Sequence, residues 1–102
     1  MPAKPRSLDP IHPGEVLLED FMKPLGISIN RLARDLDVPP NRVSAIVNGA
    51  RAITADTALR LAVHFGTSAE VWLNLQSDYE LRVARQSHGP DISRKVRRRE
   101  AA

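Results

Sequence analysis

The chain of 102 residues is long enough for one domain with a modest hydrophobic core, and its 15 Lys/Arg and 12 Asp/Glu give a net charge of +3. It has no cysteine, which excludes a disulfide framework and a thiolate zinc site and favours a cytoplasmic protein. No apolar run approaches the length of a membrane span, so we expect no membrane association.

The charge is unevenly distributed along the chain. Residues 11–81 hold six Lys/Arg and nine Asp/Glu, whereas residues 82–102 hold seven and two. Residues 28–51 are an exception within the acidic part, with four arginines and two aspartates. Because affinity for phosphate depends on positive charge at the place where a nucleic-acid backbone passes, this local excess favours a small DNA-binding regulator.

The N-terminal stretch is rich in proline and shows no periodicity. We expect residues 1–10 to form a flexible arm, either an ordinary frayed terminus or an arm that contacts the DNA minor groove. A first helix is predicted over residues 15–23, with Leu17 and Phe21 on its inward face. Pro24 and Gly26 are predicted to end it.

Residues 28–51 predict two short helices joined by a tight turn. Ser28 is suited to cap the first helix, because its hydroxyl oxygen can accept a backbone N–H of the first turn. The turn is predicted at residues 37–40. There Pro39 disfavours a helical conformation of the preceding residue, and Pro40 suits the first position of the second helix.

The second of these helices has two different faces. Val43, Ile46 and Val47 form an apolar stripe suited to a core. The opposite face carries small and polar side chains: Asn41, Arg42, Ser44, Ala45 and Asn48. This pattern is typical of a helix-turn-helix whose second helix enters a DNA major groove, although an ordinary helical hairpin would show the same packing pattern.

Two more helices are predicted downstream, capped by Thr54 and Ser68, with Gly66 ending the first of them. The last helix carries more apolar surface than so small a bundle can bury. Its stripe consists of Trp72, Leu75, Tyr79 and Val83. The surplus would pack against a second copy of the chain or close the bottom of the core.

The periodicity ends at Arg85. We expect a break at residues 86–90 and a basic, disordered tail over residues 86–102, which either solubilises the protein or adds non-specific attraction to phosphate. The chain is therefore divided into an arm (1–10), a helix-turn-helix domain (11–85) and this tail. The predicted fold is all-α with five helices.

No group of residues predicts catalytic or metal chemistry. His12, His64 and His88 lie in separate segments without the spacing of metal ligands, and Glu15 and Glu19 fit a solvated helix face. The sequence has no glycine-rich phosphate loop and no Ser/His/Asp or Cys/His grouping. We expect no metal, no cofactor and no enzyme activity.

Five stretches carry a resemblance to a known family. They are H-P-G-E-V-L-L-E-D-F at residues 12–21, K-P-L-G-I-S at 23–28, L-A-R-D-L-D-V-P-P at 32–40, I-V-N-G-A-R-A-I-T-A-D-T-A-L-R-L-A at 46–62 and F-G-T-S-A-E-V-W-L-N-L-Q-S-D-Y-E-L at 65–81. With them the chain resembles the lambda-repressor-like helix-turn-helix (XRE) family, and more closely the HigA (VapI-type) antitoxins of bacterial toxin–antitoxin modules.

The resemblance implies a lambda-repressor-like domain, usually a homodimer, with two activities. It would bind double-stranded operator DNA upstream of its own operon as a repressor, and it would neutralise a HigB-type toxin that cleaves mRNA. The alternative is a stand-alone helix-turn-helix transcriptional regulator without a toxin partner. A protein-interaction module that has lost DNA binding is disfavoured by the polar face of the second helix.

The resemblance also assigns roles to individual positions. The base-contacting positions of the family fall on Pro40, Asn41, Ser44 and Ala45. Its phosphate-contacting positions fall on Ser28, Ile29, Arg31, Arg42, Asn48 and Arg51. Many relatives carry arginine where this chain has Asn41, so the operator sequence does not transfer. Asn41 could pair with adenine, and Ala45 could contact a thymine methyl group.

Overall fold

The computed structural model describes residues 9–100, and within this range the chain forms five helices and no strand. Residues 1–8, most of the predicted arm, lie outside the described residues, as do residues 101–102. We number the helices α1 to α5 in chain order. They are α1 (residues 13–25), α2 (Ile29–Leu36), α3 (Pro40–Val47), α4 (Ala55–Phe65) and α5 (Ala69–Lys95). The all-α, five-helix prediction is confirmed.

Helix α1 is longer than predicted and contains a wider π-helical middle. It runs through Pro13–Val16, π-helical Leu17–Met22 and Lys23–Leu25, and it ends at Gly26 in the left-handed conformation (φ 66°). The predicted stop at Gly26 is confirmed, whereas Pro24 lies inside the helix rather than at its end. A proline ring clashes with the carbonyl four residues earlier in a regular α-helix, and the π-helical turns that precede Pro24 change that spacing.

The α2–α3 pair has the predicted helix-turn-helix form. The Ser28 hydroxyl accepts the N–H of Arg31 at 3.1 Å, which caps α2 as expected. Helix α2 ends at Asp37 in the left-handed conformation (φ 57°), and Pro40 opens α3 as its first residue. The break between the helices is thus a left-handed residue followed by extended backbone, which turns the chain within three residues.

One hydrophobic core joins all five helices. Its buried members are Leu17, Met22, Leu32, Ala33, Leu36, Val43, Ile46, Ile53, Ala58, Leu61 and Trp72. The indole N–H of Trp72 donates to the Thr67 hydroxyl at 2.8 Å, so the largest core side chain leaves no polar group unpaired. The predicted inward faces of α2 and α3 are confirmed, and the core side of α3 is fixed by Val43 and Ile46.

The caps of the last two helices differ from each other. The Ser68 hydroxyl accepts the N–H of Val71 at 3.1 Å, as predicted for the start of α5. Thr54 occupies the N-cap position of α4, but its side chain makes no capping hydrogen bond. The predicted stop at Gly66 is confirmed, because this residue is left-handed (φ 73°).

Helix α5 continues well past the predicted end at Arg85. It passes through Pro90 and ends at Lys95, so the break predicted at residues 86–90 is wrong. Asp91 pairs with Arg94 at 2.6 Å and with Lys95 at 3.1 Å, and such local pairs, with basic residues in the last turn, support an exposed helix end. The division of the chain at residue 85 stays a prediction.

Candidate DNA-binding surface

The outer face of α3 carries the four residues assigned to base contacts. Pro40 and Asn41 are exposed, and Ser44 and Ala45 are half-buried, on the side of the helix away from the core. These four side chains make no hydrogen bond or ion pair within residues 9–100 that would mask them, and α3 begins with them. The geometry therefore leaves a short polar and small-residue strip available to a partner.

The residues assigned to phosphate contacts lie at the ends of the same helix pair. Ser28 and Ile29 begin α2, and Arg31 follows in its first turn with its side chain 64% exposed and paired to Asp35. The N–H groups of a helix's first turn and its dipole favour an anion at that end. Beyond the other end of α3, Asn48 and Arg51 are both exposed. The candidate DNA-binding surface consists of the strip on α3 and the residues at the two ends of the helix pair: Ser28, Ile29, Arg31, Asn48 and Arg51.

Arg42 differs from the other predicted phosphate contacts. Its side chain is only 25% exposed, and its guanidinium Nη1 pairs with the Asp56 carboxylate at 3.1 Å. Its Nε is covered by protein atoms and has no hydrogen-bond partner among the described residues. This arginine is therefore directed at Asp56 of α4.

Asp56 and Arg60 form a polar connection that the sequence analysis did not identify. Arg60 Nε donates to the Asp56 carboxylate at 2.7 Å, and its Nη1 donates to the carbonyl oxygens of Leu36 (2.9 Å) and Asp37 (3.1 Å). The hydrogen bond from Arg60 is the main cause that lowers the pKa of Asp56, and the charges of Arg60 and Arg42 act in the same direction. The only sequence signal for this connection was an Asp/Arg pair four positions apart on a predicted helix.

The back of α3 is supported by the start of α1. His12 caps α1, because its Nδ1 accepts the N–H of Gly14 at 2.9 Å. A Cβ atom at Gly14 would overlap the carbonyl oxygen of Ile46, so only glycine allows α1 to approach α3 this closely. The ring of His12 lies 4.9 Å from that of Tyr79 in an edge-to-face arrangement. In the sequence His12 is an isolated histidine, and no spacing indicates this capping role.

A buried glutamine holds the segment after α3. Gln76 of α5 is only 6% exposed, and its Oε1 accepts the backbone N–H of Ile53 at 2.8 Å. Ile53 lies in the irregular link between α3 and α4, so this hydrogen bond satisfies a buried donor outside any helix. The apolar stripe predicted for α5 gave no indication that a polar residue lay within it.

No metal-binding group was found in the part of the chain that the structure describes. Three or more His, Asp or Glu side chains do not come together anywhere in residues 9–100. No helix in this range is long and apolar enough to cross a membrane.

Comparison with known proteins places this geometry in a family. The profile of the helix-turn-helix family matches residues 18–72, which is more than half of the chain. An addiction-module antidote protein of a HigA family from Coxiella burnetii is 52% identical and superposes with a TM-score of 0.85, over 89% of this chain and 99% of that one. The chain belongs to the HigA family of helix-turn-helix antitoxins.

Other similar proteins agree with the HigA assignment. The antitoxin HigA of Pseudomonas aeruginosa, whose structure was solved with the higBA promoter, is 44% identical with a TM-score of 0.84 over 86% of this chain and 96% of that one. Virulence-associated protein I of Dichelobacter nodosus is 49% identical over 86 residues, which cover 84% of this chain and 80% of that protein. The resemblance found from the sequence motifs is confirmed.

Proposed function

We propose that this HigA-family chain is the antitoxin of a HigBA-type toxin–antitoxin module and represses its own operon by binding operator DNA. The observation that carries the proposal is the strip formed by Pro40, Asn41, Ser44 and Ala45. It is left unmasked on the helix-turn-helix of a chain that superposes on a HigA solved with its promoter. A strip of this kind is what a recognition helix needs in order to contact base edges in a major groove.

Each part of the candidate DNA-binding surface has a different chemical task in this proposal. Asn41 has the amide geometry to pair with adenine, and Ala45 has the methyl group to contact thymine. Ser28, Ile29 and Arg31 place a helix N-terminus and a positive charge beside one phosphate stretch. Asn48 and Arg51 would contact the backbone beyond the other end of α3. These contacts position the protein, whereas Asn41 and Ala45 read the sequence.

The proposed functional unit is a homodimer. Several large apolar side chains of α5 remain exposed in the single chain: Val71 (42%), Leu81 (52%), Val83 (37%) and Ile92 (52%). A second copy would remove this surface from water and would present two copies of α3 to a palindromic operator. The size of the particle in analytical ultracentrifugation tests this part of the proposal.

The second activity is neutralisation of a HigB-type, mRNA-cleaving toxin in the cytoplasm, by binding rather than by catalysis. The family assignment supports this activity. The alternative is a stand-alone regulator. It would be supported if expression of the neighbouring reading frame neither slows growth nor yields a complex with this chain.

A gel shift tests the DNA-binding part directly. A labelled duplex from the region upstream of the start codon is compared with a duplex of scrambled sequence and equal composition, in the presence and absence of the neighbouring gene product. We expect at least about a thousandfold preference for the upstream duplex at physiological salt. Equal affinity for both duplexes would rule out the proposed autorepressor.

A further inference from the structure

Asp56 and Arg60 of α4 together contact both helices of the helix-turn-helix, Asp56 reaching α3 and Arg60 the end of α2. One oxygen of the Asp56 carboxylate accepts from Arg42 of α3 (3.1 Å) and from Arg60 of its own helix (2.7 Å). Arg60 in turn donates to the carbonyl oxygens of Leu36 and Asp37 at the end of α2. A continuous chain of charge-assisted hydrogen bonds therefore runs from the end of α2, through α4, to the first turn of α3.

The chemistry of Arg60 suits this connection. The last carbonyl groups of a helix have no partner inside the helix, and the two that Arg60 reaches belong to the end of α2 and its left-handed C-cap residue. A guanidinium is a planar group with donors in fixed directions, so it can serve a carboxylate and these two carbonyl oxygens at the same time. An ammonium group of lysine has no such fixed arrangement.

Helix α3 is short and has no side-chain cap at its N-terminal end. It has eight residues, its core contacts come from Val43, Ile46 and Val47, and its N-cap residue Pro39 makes no side-chain capping bond. A helix this short is not stable by itself in water. The polar contact of Arg42, the third residue of α3, therefore affects the position of the strip that begins with Pro40.

We infer that Asp56 and Arg60 are positioning residues for DNA recognition, and that Arg42 acts through them by holding α3 rather than by contacting phosphate. The inference rests on the proposed function for its DNA-binding readout. It replaces the phosphate-contacting role that the family resemblance implies for Arg42. The Arg42 side chain is 25% exposed, its Nε is covered and its Nη1 pairs with Asp56, so its charge faces a carboxylate of the protein.

The salt dependence of operator binding separates the two roles of Arg42. A residue that neutralises a phosphate releases a counterion, so its removal lowers the slope of log K against log salt by about 0.9. A residue already neutralised by Asp56 releases none. Arg42→Gln should therefore weaken operator binding about two- to fivefold, the range of an exposed ion pair, with an unchanged slope. Arg51→Gln is the phosphate-contact reference, and Arg34→Gln of α2 is the control for loss of one positive charge.

Asp56→Asn and the double variant Arg42→Gln/Asp56→Asn test the connection itself. Asp56→Asn should weaken operator binding by about the same factor as Arg42→Gln, and the double variant should be no weaker than either single variant. Binding is measured at a temperature at which circular dichroism shows every variant to be folded. A slope lowered by about 0.9 in Arg42→Gln, or tighter operator binding by Asp56→Asn, would overturn the inference.

Hydrogen exchange of the DNA-free protein gives a readout that does not require an operator. The amides of residues 44–48 should exchange about two- to fivefold faster in Asp56→Asn and in Arg60→Lys, while the amides around Trp72 keep their rates. Unchanged exchange at residues 44–48 in both variants would also overturn the inference. If the wild type does not distinguish its operator from scrambled DNA, the proposed function fails, but this exchange experiment still decides whether the connection holds α3.

Discussion

Helices α3 and α5 depend on different interactions. Helix α3 has eight residues and is held from several sides: by its core residues, by Asp56 through Arg42, and by the close approach of Gly14 behind it. Helix α5 has 27 residues, and beyond Arg82 its side chains are largely exposed, with ion pairs between neighbouring turns. A short recognition helix is thus defined by the rest of the fold, whereas the far part of α5 depends on local contacts.

The largest expected effect comes from Gly14→Ala. The added methyl group would overlap the carbonyl oxygen of Ile46, so α1 and α3 would have to separate. We expect a loss of about 3 kcal/mol in the free energy of unfolding, measured by urea titration. Gly89→Ala in α5 is the matched control, because its Cβ would meet only the Arg85 side chain at 3.8 Å. Similar results for both variants would contradict the close approach of α1 to α3.

The next largest effect is expected on DNA recognition at α3. Asn41→Ala removes the amide that could pair with adenine, so it should cost about 1–3 kcal/mol in binding to the operator. Binding to scrambled DNA should change much less, because that binding depends on phosphate contacts. Equal losses on both duplexes, measured by fluorescence anisotropy, would show that Asn41 does not contact bases.

A smaller, pH-dependent effect is expected where α1 supports α3. Burial lowers the pKa of His12 below its usual 6.5, against a weaker opposite effect of its backbone hydrogen bond with Arg51. Because the pKa is lower in the folded state, the contribution of His12 to stability is complete above 6.5 and is lost as pH falls through the lowered pKa. Protonation would also remove the Nδ1 acceptor of the Gly14 N–H.

Urea titrations across this pH range test the role of His12. His12→Asn keeps a side-chain acceptor at the N-cap but cannot titrate, so its stability should change less with pH than that of the wild type. The same pH dependence in His12→Asn and in the wild type would assign the effect to another group.

The smallest effect on overall stability is expected in the far part of α5. Pro90→Ala restores a backbone N–H inside the helix and should increase helical content. Because this segment is exposed, the free energy of global unfolding should change by less than about 0.5 kcal/mol. A larger change would indicate that residues 86–95 pack against a partner in solution, such as a second copy of the chain.

The errors of the sequence analysis have identifiable physical causes. Pro24 and Pro90 were expected to interrupt helices. Pro24 follows π-helical turns, and Pro90 lies inside a helix in which Asp91 pairs with Arg94 and Lys95. Gln76 is buried beside the apolar stripe of α5, where its Oε1 accepts the N–H of Ile53. Ile53 lies 23 positions earlier in the chain. Such a pairing cannot be inferred from spacing along one helix.

The sequence by itself determined the number of helices, the turn that joins α2 and α3, the polar outer face of α3 and the family, because periodicity, proline placement and motifs are local properties. Only the tertiary structure decided which way Arg42 points, what Asp56 and Arg60 connect, and why residue 14 must be glycine. Those features depend on contacts between segments far apart in the chain, where the position of one helix defines the surroundings of another.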